Sequence, residues 1–153
     1  MNTPRFIVAA GLALLGACSP PTPQPSDESS ADIAASDTQS DPLAIALTPV
    51  LSEDIGRPVS VSVQTSAVDG DWGWIVAQPW TADGTQIDWS QTRHAERARE
   101  GLLDGGGMTY ALMRRENGRW SVVEFVVGPT DAAWAEWAQR HGAPASLMVM
   151  PSK

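Results

Sequence analysis

The chain has 153 residues, enough for one domain, and carries 18 acidic residues against 10 Lys and Arg, so its formal net charge is −8. This acidity argues against a nucleic-acid-binding protein, which would need a basic surface. A single cysteine rules out an internal disulfide framework, and two histidines argue against a His-based metal site. No motif indicates a bound cofactor, so we expect neither a metal nor a cofactor.

The first 17 residues have the pattern of a secretory signal peptide. Arg5 supplies a positive charge, and the apolar stretch over residues 6–15 is too short to span a membrane as a helix. Small residues follow, directly before the only cysteine, Cys18. The pattern therefore predicts an exported protein.

The segment Leu15-Gly16-Ala17-Cys18 resembles the lipobox of bacterial lipoproteins. This resemblance implies that the Cys18 thiol receives a diacylglycerol and that, after cleavage before Cys18, the new amino terminus is acylated. Such a protein is anchored to a lipid bilayer, because each buried methylene contributes roughly 0.8 kcal/mol. In that family an aspartate after the cysteine favours the inner membrane, so with Ser19 at this position the resemblance implies the outer membrane, facing the periplasm, in a Gram-negative host. The alternative is an ordinary cleaved signal with a chance cysteine.

Residues 18–41 are predicted to form the lipidated cysteine and a disordered tether. From residue 19 onward the segment holds four prolines and five acidic residues and no basic residue. Such a composition buries too little apolar surface to offset the entropy lost on ordering. We expect a spacer that holds the following domain away from the bilayer, with recognition of the prolines by a partner as the alternative.

Residues 42–153 are predicted to form one α+β domain. Hydrophobic periodicity, turn motifs and capping residues define its elements in chain order. These are a helix over residues 41–55, strands over 58–68 and 72–79, a polar helix over 90–101, a flexible glycine break over 104–107, strands over 108–115 and 119–127, a helix from Thr130 or Asp131 to about His141, and an edge strand over 143–150. The order favours an antiparallel sheet of about four strands with helices packed on one face.

Several local features sharpen these expectations. Pro49 lies inside the first predicted helix, where it either kinks that helix or separates two shorter ones. Strict alternation over residues 58–68 places the apolar side chains on one side of that strand, and we expect this Val-rich side and the Trp side of the next strand to pack against the same core. Alternation over residues 119–127 places Glu124 on the same side as Trp120.

The element order, together with the hairpin arm Gly-Arg-Trp-Ser-Val-Val-Glu-Phe at residues 118–125, resembles the cystatin-like and nuclear-transport-factor-like folds. In those folds a curved antiparallel sheet wraps around a helix. The segment over residues 126–137, Val-Val-Gly-Pro-Thr-Asp followed by a Trp-bearing helix, is similar to an uncharacterised bacterial domain. Neither resemblance brings a catalytic motif, so neither implies an activity.

All seven tryptophans lie in the predicted domain. Trp80 and Trp89 flank its loop and are predicted to form a binding surface for a sugar or an aromatic ligand, because indoles combine a large apolar face with a polar N–H. Four others fit core positions: Trp72, Trp120, Trp134 and Trp137.

Asp88, His94 and Tyr110 are the candidate polar groups of a pocket within a cone-shaped sheet. No nucleophile–base–acid set stands out, and the charged segment over residues 88–104 is typical of a solvated helix face. Lys153 is the only lysine, and it matches a class of outer-membrane lipoproteins whose C-terminal lysine is joined to peptidoglycan.

The sequence as a whole predicts a lipid-anchored protein of the bacterial cell envelope. Its small tryptophan-rich domain would be a non-enzymatic binding or accessory module with an envelope protein as its partner. One alternative is a ligand-binding or hydrolytic pocket at Asp88, His94 and Tyr110. The other is an inhibitor that inserts its loop, carrying Trp80 and Trp89, into an envelope enzyme.

Overall fold

A computed structural model describes residues 41–148, so the predicted signal peptide, Cys18, all of the tether before residue 41 and Lys153 lie outside the described residues. The model confirms the predicted α+β fold with one four-stranded antiparallel sheet in the order β1-β2-β3-β4. Its strands are β1 (Val59–Asp69), β2 (Trp72–Thr81), β3 (Thr109–Glu116) and β4 (Arg119–Val127). Its helices are α1 (Pro42–Ile55), α2 (Ala95–Arg99) and α3 (Trp137–His141), with 3-10 turns at Trp89–Gln91, Asp104–Gly106 and Ala145–Leu147. Within residues 41–148, no helix has the length and apolar character needed to cross a bilayer.

Helix α1 is one continuous helix of 14 residues, despite the proline inside it. As predicted, the Asp41 carboxylate caps it by accepting a hydrogen bond of 2.8 Å from the Leu43 amide. Pro49 lacks the amide that would bind the carbonyl of Ile45. Both residues lie on the exposed side of α1, Ile45 with 61% of its surface exposed, so water can bind that carbonyl. Of the two predicted alternatives, the separation into two shorter helices is therefore wrong, because α1 continues through Pro49 as a single helix.

Both predicted hairpins form, and each is closed by two residues. Gly70 and Asp71 connect β1 to β2, and Asn117 and Gly118 connect β3 to β4. Asn117 and Gly118 have φ angles of 52° and 77°. Two successive left-handed residues match the right-handed twist of the paired strands, which explains why an Asn-Gly pair occupies this turn.

A β-bulge at Gln64 reverses which face of the sheet the later side chains of β1 point to. Val63 pairs with Ala77 and Thr65 pairs with Val76, so Gln64 is the extra residue. Before the bulge the valines face α1, whereas Ala67 packs beside Trp74 on the opposite face of the sheet. The prediction that all apolar residues of this strand share one side is wrong, because alternation continues in the sequence while the pairing shifts by one residue.

A second bulge, in β4, corrects the predicted side of Glu124 in the same way. Val122 pairs with Met113 and Glu124 pairs with Leu112, so Val123 is the extra residue. Trp120 packs on the α1 side, and Glu124 points to the opposite side, where it meets α3. The predicted common side of Trp120 and Glu124 is therefore wrong.

The sheet separates two cores. The α1 core joins α1 to one sheet face and includes Leu43, Leu47, Leu51, Ile55, Ile75, Ala77, Ala111 and Met113. The tryptophan core lies on the other face and includes Trp74, Val76, Leu112, Trp137 and Leu147. The side of β2 that carries Trp74 packs in the tryptophan core, because adjacent residues of a strand point to opposite faces. The Val-rich part of β1 packs in the α1 core. The prediction of one shared core is therefore wrong.

The C-terminal segment covers the tryptophan core and is less helical than predicted. Helix α3 is only five residues long, because it begins at Trp137 and not at Thr130 or Asp131 as predicted. It ends, as predicted, at His141, and Gly142, whose φ is 70°, caps it. The Glu124 carboxylate holds α3 on the sheet through Arg140 Nη1 at 2.7 Å and His141 Nε2 at 2.6 Å. Where an edge strand was predicted, the described residues form a 3-10 turn at Ala145–Leu147, directly after Pro144, which has no amide for a sheet ladder.

The predicted polar helix over residues 90–101 is also much shorter. Asp88, and not Ser90, provides the cap, because its carboxylate accepts a hydrogen bond of 3.0 Å from the Ser90 amide. The Thr92 hydroxyl then accepts a hydrogen bond of 3.1 Å from the His94 amide. These side chains start separate turns in place of one helix, leaving a 3-10 turn at Trp89–Gln91 followed by α2.

Candidate functional site

A cleft of about 400 Å³ lies between the end of β2 and the glycine segment after α2. Its lining residues are Gln78, Pro79, Trp80, Gln86, Ile87, Trp89, Gly105 and Gly106. We call it the Trp80–Trp89 cleft, because it brings together the two tryptophans that the sequence singles out as binding residues. The volume lies within the range of small-molecule sites, about 300 to 1,000 Å³.

Trp89 forms a fixed wall of this cleft. Its indole Nε1 donates a hydrogen bond of 3.2 Å to the carbonyl oxygen of Gly106. A Cβ atom on Gly107 would lie 2.0 Å from Cζ2 of Trp89, so the ring rests directly against the backbone. The His94 ring meets it edge-on, with 5.8 Å between the ring centroids. Trp89 is half-buried and packs against the α1 core, so it does not extend freely from the loop.

Trp80 has a different environment from the other tryptophans. All seven lie within residues 41–148, and six of them pack in or against one of the two cores. Trp80 is half-buried but belongs to neither core. It lines the cleft without contributing to either core, whereas the other six tryptophans all do.

The glycine segment closes the cleft on the side opposite β2. Gly105, Gly106 and Gly107 have φ angles of 57°, 64° and 88°, a left-handed run that residues with a side chain adopt only at a cost. The carbonyl of Gly106 accepts hydrogen bonds from Trp89 and from Nε2 of Gln78, the latter at 2.9 Å. The predicted flexible break is therefore an ordered 3-10 turn.

The loop after β2 is ordered by hydrogen bonds and carries Gln86 to the cleft. The Thr81 amide donates to the carbonyl of Thr85 and the Thr85 amide donates to the Thr81 hydroxyl, both at 2.9 Å. Hydrogen bonds from the hydroxyl groups of Thr81 and Thr85 hold the pKa of the Asp83 carboxyl below its ordinary value. Gln86 directly follows this turn and is exposed.

Neither glutamine of the cleft, Gln78 or Gln86, was among the predicted binding residues. Gln78 could have been found, because side chains alternate along β2 and residues 78 and 80 therefore share a side. Gln86 could not, because its position depends on the turn that precedes it.

The structure does not bring Asp88, His94 and Tyr110 into one cavity. Asp88 caps the 3-10 turn at Trp89–Gln91 and lines a shallow surface cleft beside Arg57. His94 directs Nε2 to Oδ2 of Asp54 at 2.7 Å, and this pair connects α1 to the segment before α2. These contacts give Asp88 and His94 structural roles in holding the loop.

Tyr110 lies on the other face of the sheet. Its ring stacks on Trp134 with 4.1 Å between centroids and 15° between planes. A second cleft of about 260 Å³ adjoins this pair and is also lined by Asp104 and Asp131. Burial, and secondly the negative charge of Asp104, raise the pKa of the Tyr110 phenol above its ordinary value. A raised pKa favours a neutral phenol, which is a poor base at neutral pH.

Among residues 41–148, no three His, Cys, Asp or Glu side chains cluster closely enough to hold a metal ion. No protein-family model matches this chain, and comparisons with curated proteins and with solved structures give no match. Function must therefore be argued from the site itself.

Proposed function

We propose that this protein is a lipid-anchored binding module of the bacterial cell envelope, and that the Trp80–Trp89 cleft is its binding site. The lipobox-like segment ending at Cys18 and the proline-rich, acidic composition that follows support the anchor and the tether. In the proposed arrangement the domain reaches into the periplasm from the outer membrane. Its role is to bind, and its partner is either another envelope component or a small ligand.

One observation carries the binding role. Trp80 is the tryptophan that packs in neither core, and it lies in a concave site beside the fixed indole of Trp89. Burying an indole is among the largest apolar gains available to one side chain. A concave site lined by aromatic and apolar side chains with a few polar groups has the composition typical of a ligand pocket.

The anchor is tested by replacing the cysteine. In the native host, the wild-type protein is expected in the membrane fraction, and the Cys18→Ser variant in the soluble fraction, because the thiol is the lipid attachment point. Metabolic labelling with a radioactive fatty acid should mark the wild type and not the variant. A variant that remains in the membrane fraction would overturn the lipid anchor.

The binding role is tested in living cells by crosslinking. An epitope tag placed in the tether leaves Cys18 untouched, and mass spectrometry identifies what is recovered with the protein. We expect one dominant envelope component with the wild type and with Gln139→Ala, an exposed substitution on α3 away from the cleft. Trp80→Ala should lose that component. Equal recovery with Trp80→Ala would show that the cleft is not the site.

A further inference from the structure

We infer that the ligand of the Trp80–Trp89 cleft is a neutral saccharide, with one pyranose ring stacked on Trp80 and its hydroxyl groups hydrogen-bonded by Gln78 and Gln86. This inference rests on the proposed function, because it names the class of ligand for the same site. It follows from three features of the cleft, which are its uncharged lining, its one indole outside both cores and its amide groups.

The charge of the lining selects a neutral ligand. None of the eight described residues that line the cleft carries a charged side chain. A phosphorylated or acidic ligand would find no Arg or Lys there, and it would meet a protein whose net charge is −8. A cationic ligand would find no carboxylate in the lining to pair with.

The arrangement of the indoles favours a saccharide over a flat aromatic ligand. An aromatic ligand would be held best between two free ring faces, but Trp89 rests against Gly107 and directs its N–H to the carbonyl of Gly106. Trp89 is thus held in place by the fold, and Trp80 is the tryptophan of the pair that belongs to neither core. A pyranose needs one platform, because it has an apolar face of C–H groups, which an indole face attracts, and a rim of hydroxyls that need polar partners.

The amide side chains supply those polar partners. Gln78 Nε2 is held by the carbonyls of Gly106 and Pro79, at 2.9 and 3.4 Å, which fixes the amide and leaves its oxygen to accept from a hydroxyl. Gln86 is exposed and has no side-chain hydrogen bond within residues 41–148, so it can both donate and accept. Paired donors and acceptors of this kind match hydroxyl groups, which are themselves donors and acceptors.

The test is calorimetric titration of the full-length protein, solubilised in a detergent that has no sugar headgroup. Two neutral probes distinguish the sources of such a ligand: chitotetraose contains the N-acetylglucosamine of cell-wall glycans, and maltotetraose represents a free saccharide. Two charged probes of equal length are tetragalacturonate, which is acidic, and de-acetylated chitotetraose, which is cationic. We expect at least one neutral probe to bind at least tenfold more tightly than both charged probes.

Variants then locate the binding. Trp80→Ala should raise the Kd of the neutral probe at least tenfold, and Trp80→Phe, which keeps an aromatic face, by about two- to fivefold. Gln86→Ala should raise it at least threefold, whereas its matched control Gln139→Ala should leave it unchanged. Gln86 is exposed, so its variant remains informative even where a tryptophan variant loses stability. Near-UV circular dichroism confirms that each variant is folded.

Three results would overturn the inference: no binding of either neutral probe, equal binding of charged and neutral probes, or wild-type affinity in either Trp80→Ala or Gln86→Ala. If the neutral saccharides fail but crosslinking in cells still depends on Trp80, the cleft binds another class of ligand and the proposed function stands. If crosslinking also loses its dependence on Trp80, the proposed binding role fails together with the inference.

Discussion

The indole of Trp89 lies so close to Gly107 that a Cβ at residue 107 would be 2.0 Å from its Cζ2 atom. The φ of Gly107 is +88°, a conformation that disfavours any residue with a side chain. Position 107 is thus restricted twice, once by its backbone and once by its neighbour. This contact fixes the position of the Trp89 ring, which forms one wall of the cleft.

Replacing this glycine is expected to destabilise the domain strongly. Gly107→Ala should lower the free energy of unfolding by about 2 to 5 kcal/mol, since a left-handed alanine costs about 1 to 2 kcal/mol and overpacking typically adds about 1 to 3 kcal/mol. Chemical denaturation measures the change. The matched control is Gly84→Ala, where φ is +80° but nothing lies within 4 Å of the added Cβ. Gly84→Ala should lower the free energy of unfolding only by the backbone cost of about 1 to 2 kcal/mol.

A double-mutant cycle separates the two causes. In a Trp89→Ala background, Gly107→Ala should keep only the backbone part of its cost, because the ring that the added Cβ would meet is gone. If the cost of Gly107→Ala is the same in both backgrounds, the contact between the glycine and the indole does not restrict position 107.

The two tryptophans of the cleft are expected to differ in their contribution to stability. Trp89→Ala should lower the free energy of unfolding by about 2 to 4 kcal/mol, because the ring packs against the α1 core and Gly107. Trp80→Ala should cost less than about 1.5 kcal/mol, because Trp80 packs in neither core. Thermal and chemical unfolding of the two variants provide the comparison. Equal losses would show that Trp80 is a structural residue and would weaken its assignment to binding.

The sequence was sufficient to predict the strands, the hairpins and their order, because those depend on local signals. Asn117-Gly118 determines one turn, and Asp41 caps α1 at the predicted residue. The sequence was not sufficient to predict which of the two cores each side chain of a strand faces. The bulges at Gln64 and Val123 leave the alternation in the sequence intact and shift only the pairing with a neighbouring strand, so a single sequence carries no sign of them.

The sequence identified two residues of the candidate site but not their roles. Trp80 and Trp89 were identified because they flank the predicted loop, but the structure places Trp80 in β2 and Trp89 in a 3-10 turn, and their different roles depend on tertiary contacts. Trp89 is fixed by a glycine 18 positions later in the chain, and Gln78 is fixed by the carbonyl of Gly106. Contacts between residues so far apart along the chain are set by the fold and have no local pattern.

Pro49 provides a test of how α1 tolerates a proline. Pro49→Ala should raise the free energy of unfolding by about 1 to 2 kcal/mol, because alanine restores the amide for the carbonyl of Ile45 and is a better helix former. The loss of proline's rigidity in the unfolded chain offsets part of that gain. The matched control is Pro42→Ala at the first helical position, where proline is favourable and the change should stay within about 0.5 kcal/mol. Equal effects of both substitutions would show that position within α1 does not matter.

Tyr110 is the only tyrosine of the chain, so the absorbance of tyrosinate reports its ionisation alone. Burial is the larger cause of its raised pKa and the charge of Asp104 the smaller one, so the midpoint should lie above the ordinary value of about 10. Asp104→Asn should lower the midpoint part of the way toward that value. Asp131→Asn, in the same cleft, should shift it less. An unchanged midpoint in Asp104→Asn would show that this charge does not act on the phenol.

The raised pKa of Tyr110 also determines how stability changes in alkali. Between the ordinary pKa of about 10 and the higher pKa of the folded protein, the native state binds more protons than the unfolded state. The contribution of the neutral phenol to stability is therefore complete below about pH 10 and is lost as the pH rises through the folded pKa. Urea unfolding across this range should show the loss in the wild type and a flatter profile in Tyr110→Phe, which cannot ionise. Profiles of equal slope would show that the phenol is not responsible.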